Sequence, residues 1–170
     1  MNSKSKTRRL SLLTMLLAMS ILLHMMEPSL PIPIPGVKLG LANILGLITF
    51  FMFSYKEMFN VNLMRVLIAS LLRGIIFGTG FWLSLAGVLL STLMVVVLRK
   101  TTRLSIIGLS VASATFHCLG QILVICFLNG TWLMVYWLPI MWLSAVPTGI
   151  ITGTLAHQVL RRIMKGGYSV

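Results

Sequence analysis

Six apolar runs follow one another along this chain, at about 10–26, 38–53, 58–77, 81–98, 104–128 and 132–160. Short polar, basic or glycine- and proline-containing segments separate them. A helix needs roughly 20 apolar residues to cross a hydrocarbon layer about 30 Å thick, and within that layer its backbone must bond to itself. The pattern therefore predicts an all-α polytopic membrane protein with six transmembrane helices. Composition excludes the soluble alternative. Of 170 residues, 58% are hydrophobic and 9% charged, against roughly a quarter charged in ordinary soluble chains. The expected organisation is a basic tail at 1–9, one transmembrane domain at 10–163 and a short tail at 164–170. A basic start before an apolar run can mark a signal peptide. No small-x-small cleavage pattern follows, so the first run is read as a retained helix.

Charge sets the orientation. There are 14 Lys and Arg residues against two acids, and no aspartate. The basic residues gather at the ends of apolar runs, which is the positive-inside pattern rather than a nucleic-acid surface. With the N-terminus inside, Lys4, Lys6, Arg8, Arg9, Lys56, Arg99, Lys100, Arg103, Arg161, Arg162 and Lys165 all face the cytoplasm. Lys38 alone remains in an outer loop. Both termini are then cytoplasmic, as expected for a protein of the bacterial cytoplasmic membrane. The first outer loop, 27–37 (EPSLPIPIPGV), has prolines at 28, 31, 33 and 35. Closely spaced prolines forbid helix, so this stretch is expected to be an extended apolar loop.

Several polar residues stand inside apolar runs. Arg65 and Arg73 share a broad face of the third helix, where a charge is costly unless paired or facing water. With two acids in the chain, internal pairing cannot neutralise Arg65, Arg73 and Lys38 together. An anion-accepting cavity and snorkelling to an interface are both open readings. Ser110, Ser113, His117 and Gln121 form a stripe on the fifth helix, at spacings that keep one face. It serves either interhelical hydrogen bonding or a substrate pocket. His24 and Glu27, at the end of the first helix, are candidates for the rim of that pocket. His157 falls near the cytoplasmic interface. Ala145, Gly149 and Gly153, and separately Gly74 and Gly78, read as small-residue rows for close helix packing. Cys118 and Cys126 lie about 12 Å apart along one helix, too far for a disulfide. No nucleotide loop, no Ser/His/Asp set and no metal-ligand spacing is present, so neither a cofactor nor a metal is expected.

Three segments resemble one family. PIPIPGVKLGLANILGL (31–47), RVLIASLLRGIIFGTGFWLSLAGVLLS (65–91) and SIIGLSVASATFHCLGQILV (105–124) are similar to the Gx transporter family, also described as heptaprenyl diphosphate synthase component I. The likeness extends over about 10–163. The family's fifth-helix pattern Gly-Ala-x-x-His-Asn stands here as Ser113-Ala114-Thr115-Phe116-His117-Cys118. His117 is kept, and the Gly and Asn are replaced. The PGxKLGLAN run (35–43) brings Pro35 and Gly36 as loop residues and Asn43 as a site candidate beside Lys38.

That family in turn resembles the substrate-binding S components of energy-coupling factor transporters. The resemblance implies a six-helix bundle, a proline-rich loop capping an outer site, and partners comprising a coupling membrane protein and ATPases. Thr14 and Ala18 are a loose match to the small-residue docking positions of such proteins. A chain without aspartate does not hold the Mg²⁺–diphosphate site of a prenyl synthase, so it is not expected to be an enzyme. The leading expectation is a transporter subunit that binds a small molecule, with an isoprenoid or anionic prenyl or quinone precursor as its substrate. The substrate-binding candidates are Glu27, Lys38, Asn43, Arg65, Arg73, Ser113, His117 and Gln121. The alternatives are a non-catalytic membrane subunit working with a prenyl synthase, and a membrane factor of an electron-transfer system.

Overall fold

The computed structural model describes residues 3–26 and 42–165. Among them are six α-helices and one short 3-10 helix. They are α1 (Ser3–Met26), α2 (Asn43–Met52), α3 (Tyr55–Leu72), α4 (Thr79–Thr101), α5 (Ile106–Asn129), the 3-10 helix (Trp132–Trp137) and α6 (Leu138–Lys165). Four stretches are long and apolar enough to cross a membrane: Lys6–Met26, Thr79–Thr101, Ile106–Asn129 and Trp132–Ile163. The fold is all-helical, as expected. Helix α2 is short as described, and α3 is too polar to join the four, since it carries Lys56, Glu57, Asn60, Asn62 and Arg65. The expected proline-rich loop, with Glu27, Pro35, Gly36 and Lys38, lies outside the described residues.

Local chemistry sets the helix ends. Ser54 caps α3 by accepting from the Lys56 N–H at 3.3 Å, and its hydroxyl donates to Glu57. Ser and Glu three apart have the spacing of a capping box, closed here from hydroxyl to carboxylate. Ser105 caps α5 by accepting from the Gly108 N–H at 3.1 Å. Gly130 closes α5 in the left-handed region (φ 62°), which a glycine adopts without a Cβ penalty. Thr131 then caps the 3-10 helix. Thus the long sixth run divides into a lead-in and one long helix, as its length predicts.

Three boundaries differ from expectation. Helix α1 reaches back through the basic segment to Ser3. Helix α3 ends at Leu72 rather than near Phe77, because Arg73 and Gly74 turn the chain, with Gly74 at φ 65° and Phe77 at φ 61°. The break precedes Gly78, and Thr79 and Gly80 already belong to α4.

Helix α5 lies between α4 and α6, while α1, α2 and α3 pack on one another. Glycines set the closest approaches. A Cβ on Gly120 would stand 2.7 Å from the Ala86 carbonyl of α4, and one on Gly149 would stand 2.7 Å from the Val111 backbone of α5. A Cβ on Gly153 would meet Ile107 and Ser110 at 2.8 Å. The small-residue row of α6 is therefore a packing row. Gly74 is not, because nothing lies within 4 Å of its missing Cβ; its role is the turn. One apolar core draws on all six helices through Leu16, Leu45, Ile48, Met58, Val95, Leu109 and Leu160. A second, between α5 and α6, includes Cys118 and Cys126, both free and buried.

Basic residues collect at one end of the bundle. Arg9 of α1 pairs with Glu57 of α3 and lies over the Phe53 ring at 5.8 Å. From α4, Arg99 lies over Phe51 at 5.3 Å and Lys100 over Tyr55 at 5.8 Å. The aromatic 3-10 helix follows the far end of α5, and there Trp132 and Tyr136 are exposed.

Candidate functional site

Arg65 is the largest fully buried side chain among the described residues, at 1% exposure. Two neighbouring helices supply hydrogen-bond partners. Its Nη2 donates to Asn43 Oδ1 of α2 at 3.0 Å, and Nη1 donates to Ser20 Oγ of α1 at 3.5 Å. Ser20 in turn donates to the Ala42 carbonyl at 3.5 Å. The guanidinium fork is thus oriented by a neutral amide and a hydroxyl. Asn43 keeps its amide nitrogen buried and without a hydrogen-bond partner among the described residues. One turn before Arg65, Asn62 donates to Thr92 of α4 at 2.9 Å, and its Oδ1 is buried without a partner. Its side chain lies over Gly46, where a Cβ would come within 2.4 Å. Facing Asn43 and Gly46 of α2, therefore, are Arg65 and Asn62 of α3, a polar seam inside the bundle.

The α5 stripe forms a second polar group. Ser110 shares a hydrogen bond with Thr152 of α6 at 3.0 Å. His117 lies against α4, its ring 2.7–2.9 Å from where a Cβ of Gly87 would be. Gln121 is 2% exposed, and neither atom of its side-chain amide has a partner among the described residues. Ser113 is buried on the same face.

Of the residues expected from sequence, then, Arg65 and Asn43 meet, and Ser113, His117 and Gln121 share the buried side of α5. Arg73 does not join Arg65. It is the C-cap residue of α3, partly exposed, past the end of the helix. Glu27, Lys38, Pro35 and Gly36 fall outside the described residues. Sequence reasoning missed Ser20, Asn62 and Thr92. The available signal was spacing: Ser20 and His24 are four apart, and Asn62 and Arg65 are three apart, each pair on one face of an apolar run.

Electrostatics separate the two ends of α3. Glu57 bonds to Ser54 and pairs with Arg9 ahead of the apolar stretch that begins at Met58. The Ser54 hydrogen bond first, then a backbone hydrogen bond and the Arg9 charge, hold its carboxyl below the usual range, against an opposing push from burial. With Glu57 engaged at the basic end, Glu27 is the one other carboxylate in the chain.

The profile of the family described as heptaprenyl diphosphate synthase component I matches residues 16–159. No curated protein and no solved structure matches the chain. A component of a synthase need not carry its chemistry. Ionising an allylic diphosphate needs Mg²⁺ held by clustered carboxylates, and a chain with two acids and no aspartate cannot build that cluster.

Proposed function

Because the chain belongs to the heptaprenyl diphosphate synthase component I family, we propose that it is the non-catalytic, membrane-embedded subunit that binds an anionic isoprenoid for a prenyl synthase partner. The observation that carries this reading is Arg65, a permanent cation buried among α1, α2 and α3 and oriented by Asn43 and Ser20. A fork of this kind matches phosphate or carboxylate oxygens. Arg73, partly exposed at the C-cap of α3, adds positive charge to the same helix.

In this reading the four membrane-crossing stretches are joined by α2 and α3. The result is six spans with the basic end and both termini in the cytoplasm. Eleven basic residues then lie inside and Lys38 outside.

The test is binding of a fluorescent farnesyl diphosphate analogue to the whole protein in nanodiscs. Arg65→Gln is expected to weaken binding by roughly 10- to 100-fold, the worth of one charge-assisted fork, with Arg65→Lys intermediate. Unchanged binding in Arg65→Gln, with an unchanged melting temperature, sinks the assignment.

A second reading has its own observation. Gln121 keeps a buried amide without partners on the face that carries Ser113 and His117, as a site for a polar substrate would. That favours a transport subunit resembling the S components of energy-coupling factor transporters, driven by a coupling membrane protein and ATPases. Native mass spectrometry of the gently extracted protein separates the two readings, since ATPases co-purify in one and a soluble prenyl synthase in the other.

A further inference from the structure

Between the first turns of α3 and the last turns of α4 runs a groove of about 460 Å³, lined by Tyr55, Lys56, Phe59, Asn60, Leu89, Thr92, Leu93 and Val96. Its two ends differ. At the basic end Lys56 lines it, and Lys100 stands 5.8 Å from the ring of Tyr55, which also lines it. Glu57 does not neutralise this mouth, because it is engaged with Arg9 and Ser54. Away from the mouth the α4 wall is Leu93 and Leu89. The α3 wall carries Asn60, one turn beyond Lys56 on the same face. Asn60 is exposed, on a surface that lipid covers if α3 spans the membrane, and no described residue hydrogen-bonds to its side chain. An amide in that position is costly unless a polar group meets it. The floor is polar as well, with buried Thr92 accepting from Asn62 on the inner seam.

We propose that this groove is a binding site for a prenyl diphosphate entering from the membrane, distinct from the interior position at Arg65. The diphosphate sits between Lys56 and Lys100 within reach of Asn60, and the first isoprene units lie along Phe59, Leu89 and Leu93. This rests on the isoprenoid reading above and deepens it by supplying a lateral station at the cytoplasmic surface. Charge complementarity selects the occupant. Two ammonium groups at one end suit a compact head with more than one negative charge. One seam between two helices takes one chain, whereas a phospholipid brings two chains and one charge.

The experiment is photo-crosslinking of the full-length protein in phosphatidylcholine nanodiscs with a benzophenone-bearing farnesyl diphosphate analogue, with labelled peptides mapped by mass spectrometry. The expected label falls on 59–60 and 89–96 and is competed by unlabelled farnesyl diphosphate. Lys56→Gln combined with Lys100→Gln removes charge from the mouth, and Leu93→Trp fills the tail path. Each is expected to lower groove labelling roughly tenfold, as for the loss of one good contact, without moving the melting temperature. Leu93 is 58% exposed, so the tryptophan displaces no core. Label confined to peptides around Arg65 overturns the groove and leaves the proposed function standing. No competable label anywhere overturns both. Groove label removed by phosphatidylglycerol but not by farnesyl diphosphate makes this a phospholipid site and overturns the assignment.

Discussion

His117 reaches its position because residue 87 has no side chain. A methyl group there would stand 2.7 Å from the ring, closer than non-bonded carbons approach. Gly87→Ala is expected to destabilise the protein by about 1–3 kcal/mol, the usual cost of overpacking a close contact. His117→Ala in the same background is expected to recover most of that loss, and a double-mutant cycle of unfolding in mixed micelles checks it. Additive effects would mean the ring and the glycine are not in contact. The same logic holds at Gly46, where a methyl group collides with the Asn62 amide and breaks its bond to Thr92. These pairs mark the limit of what sequence reveals about the site. His117, Gln121 and Arg65 were visible because polar groups in apolar runs are rare. Gly87 against His117, Ser20 against Arg65, and the pair Gly46 and Asn62 were not, since a small or singly polar residue in such a run is ordinary until a second helix lies against it.

At the scale of elements, the strap between α1 and α3 depends on one carboxylate. Glu57 joins Arg9 from α1 to the cap of α3 through Ser54. Its folded pKa lies below its unfolded value, so the stabilisation is present above the unfolded pKa, near 4.5, and is lost as pH falls through the folded one. Melting temperature is expected to hold down to about pH 5 and then drop, and Glu57→Gln is expected to flatten that drop. A variant with an unchanged acid limb would place the titration elsewhere. The caps were legible because Ser54 and Glu57, or Ser105 with Gly130, carry the polar groups that a helix end needs at fixed offsets. The end of α3 was not, because Gly74 and Gly78 have the spacing of a packing row. Only the backbone at Gly74, turned to positive φ in open space, identifies it as a hinge between helices. Likewise, the polar character of α3 shows in its sequence, but its division into an inward seam (Asn62, Arg65) and an outward groove (Lys56, Asn60) depends on where α2 and α4 lie.

For the whole molecule, the apolar runs gave the helices and the basic residues gave a direction, and the bundle brings the two together. Arg9, Lys56, Arg99 and Lys100 come from three helices that are far apart in sequence, and they meet at one end. Exposed Trp132 and Tyr136 follow the far end of α5, as aromatic residues at a lipid–water boundary would. If the basic end is cytoplasmic, Thr102 and Asn129, near opposite ends of the hairpin formed by α4 and α5, report from opposite sides. Cys118 and Cys126 are buried, so the unmodified protein is expected to stay unlabelled by a membrane-impermeant maleimide, which leaves a clean background. Asn129→Cys should then label in intact cells, and Thr102→Cys only after the membrane is opened. The reverse pattern would invert the molecule. It would place Lys56 and Lys100 on the outer surface, where a cytoplasmic prenyl synthase has no access to the groove between α3 and α4. The orientation of one hairpin therefore decides whether the lateral site and the soluble partner belong to the same pathway of the substrate.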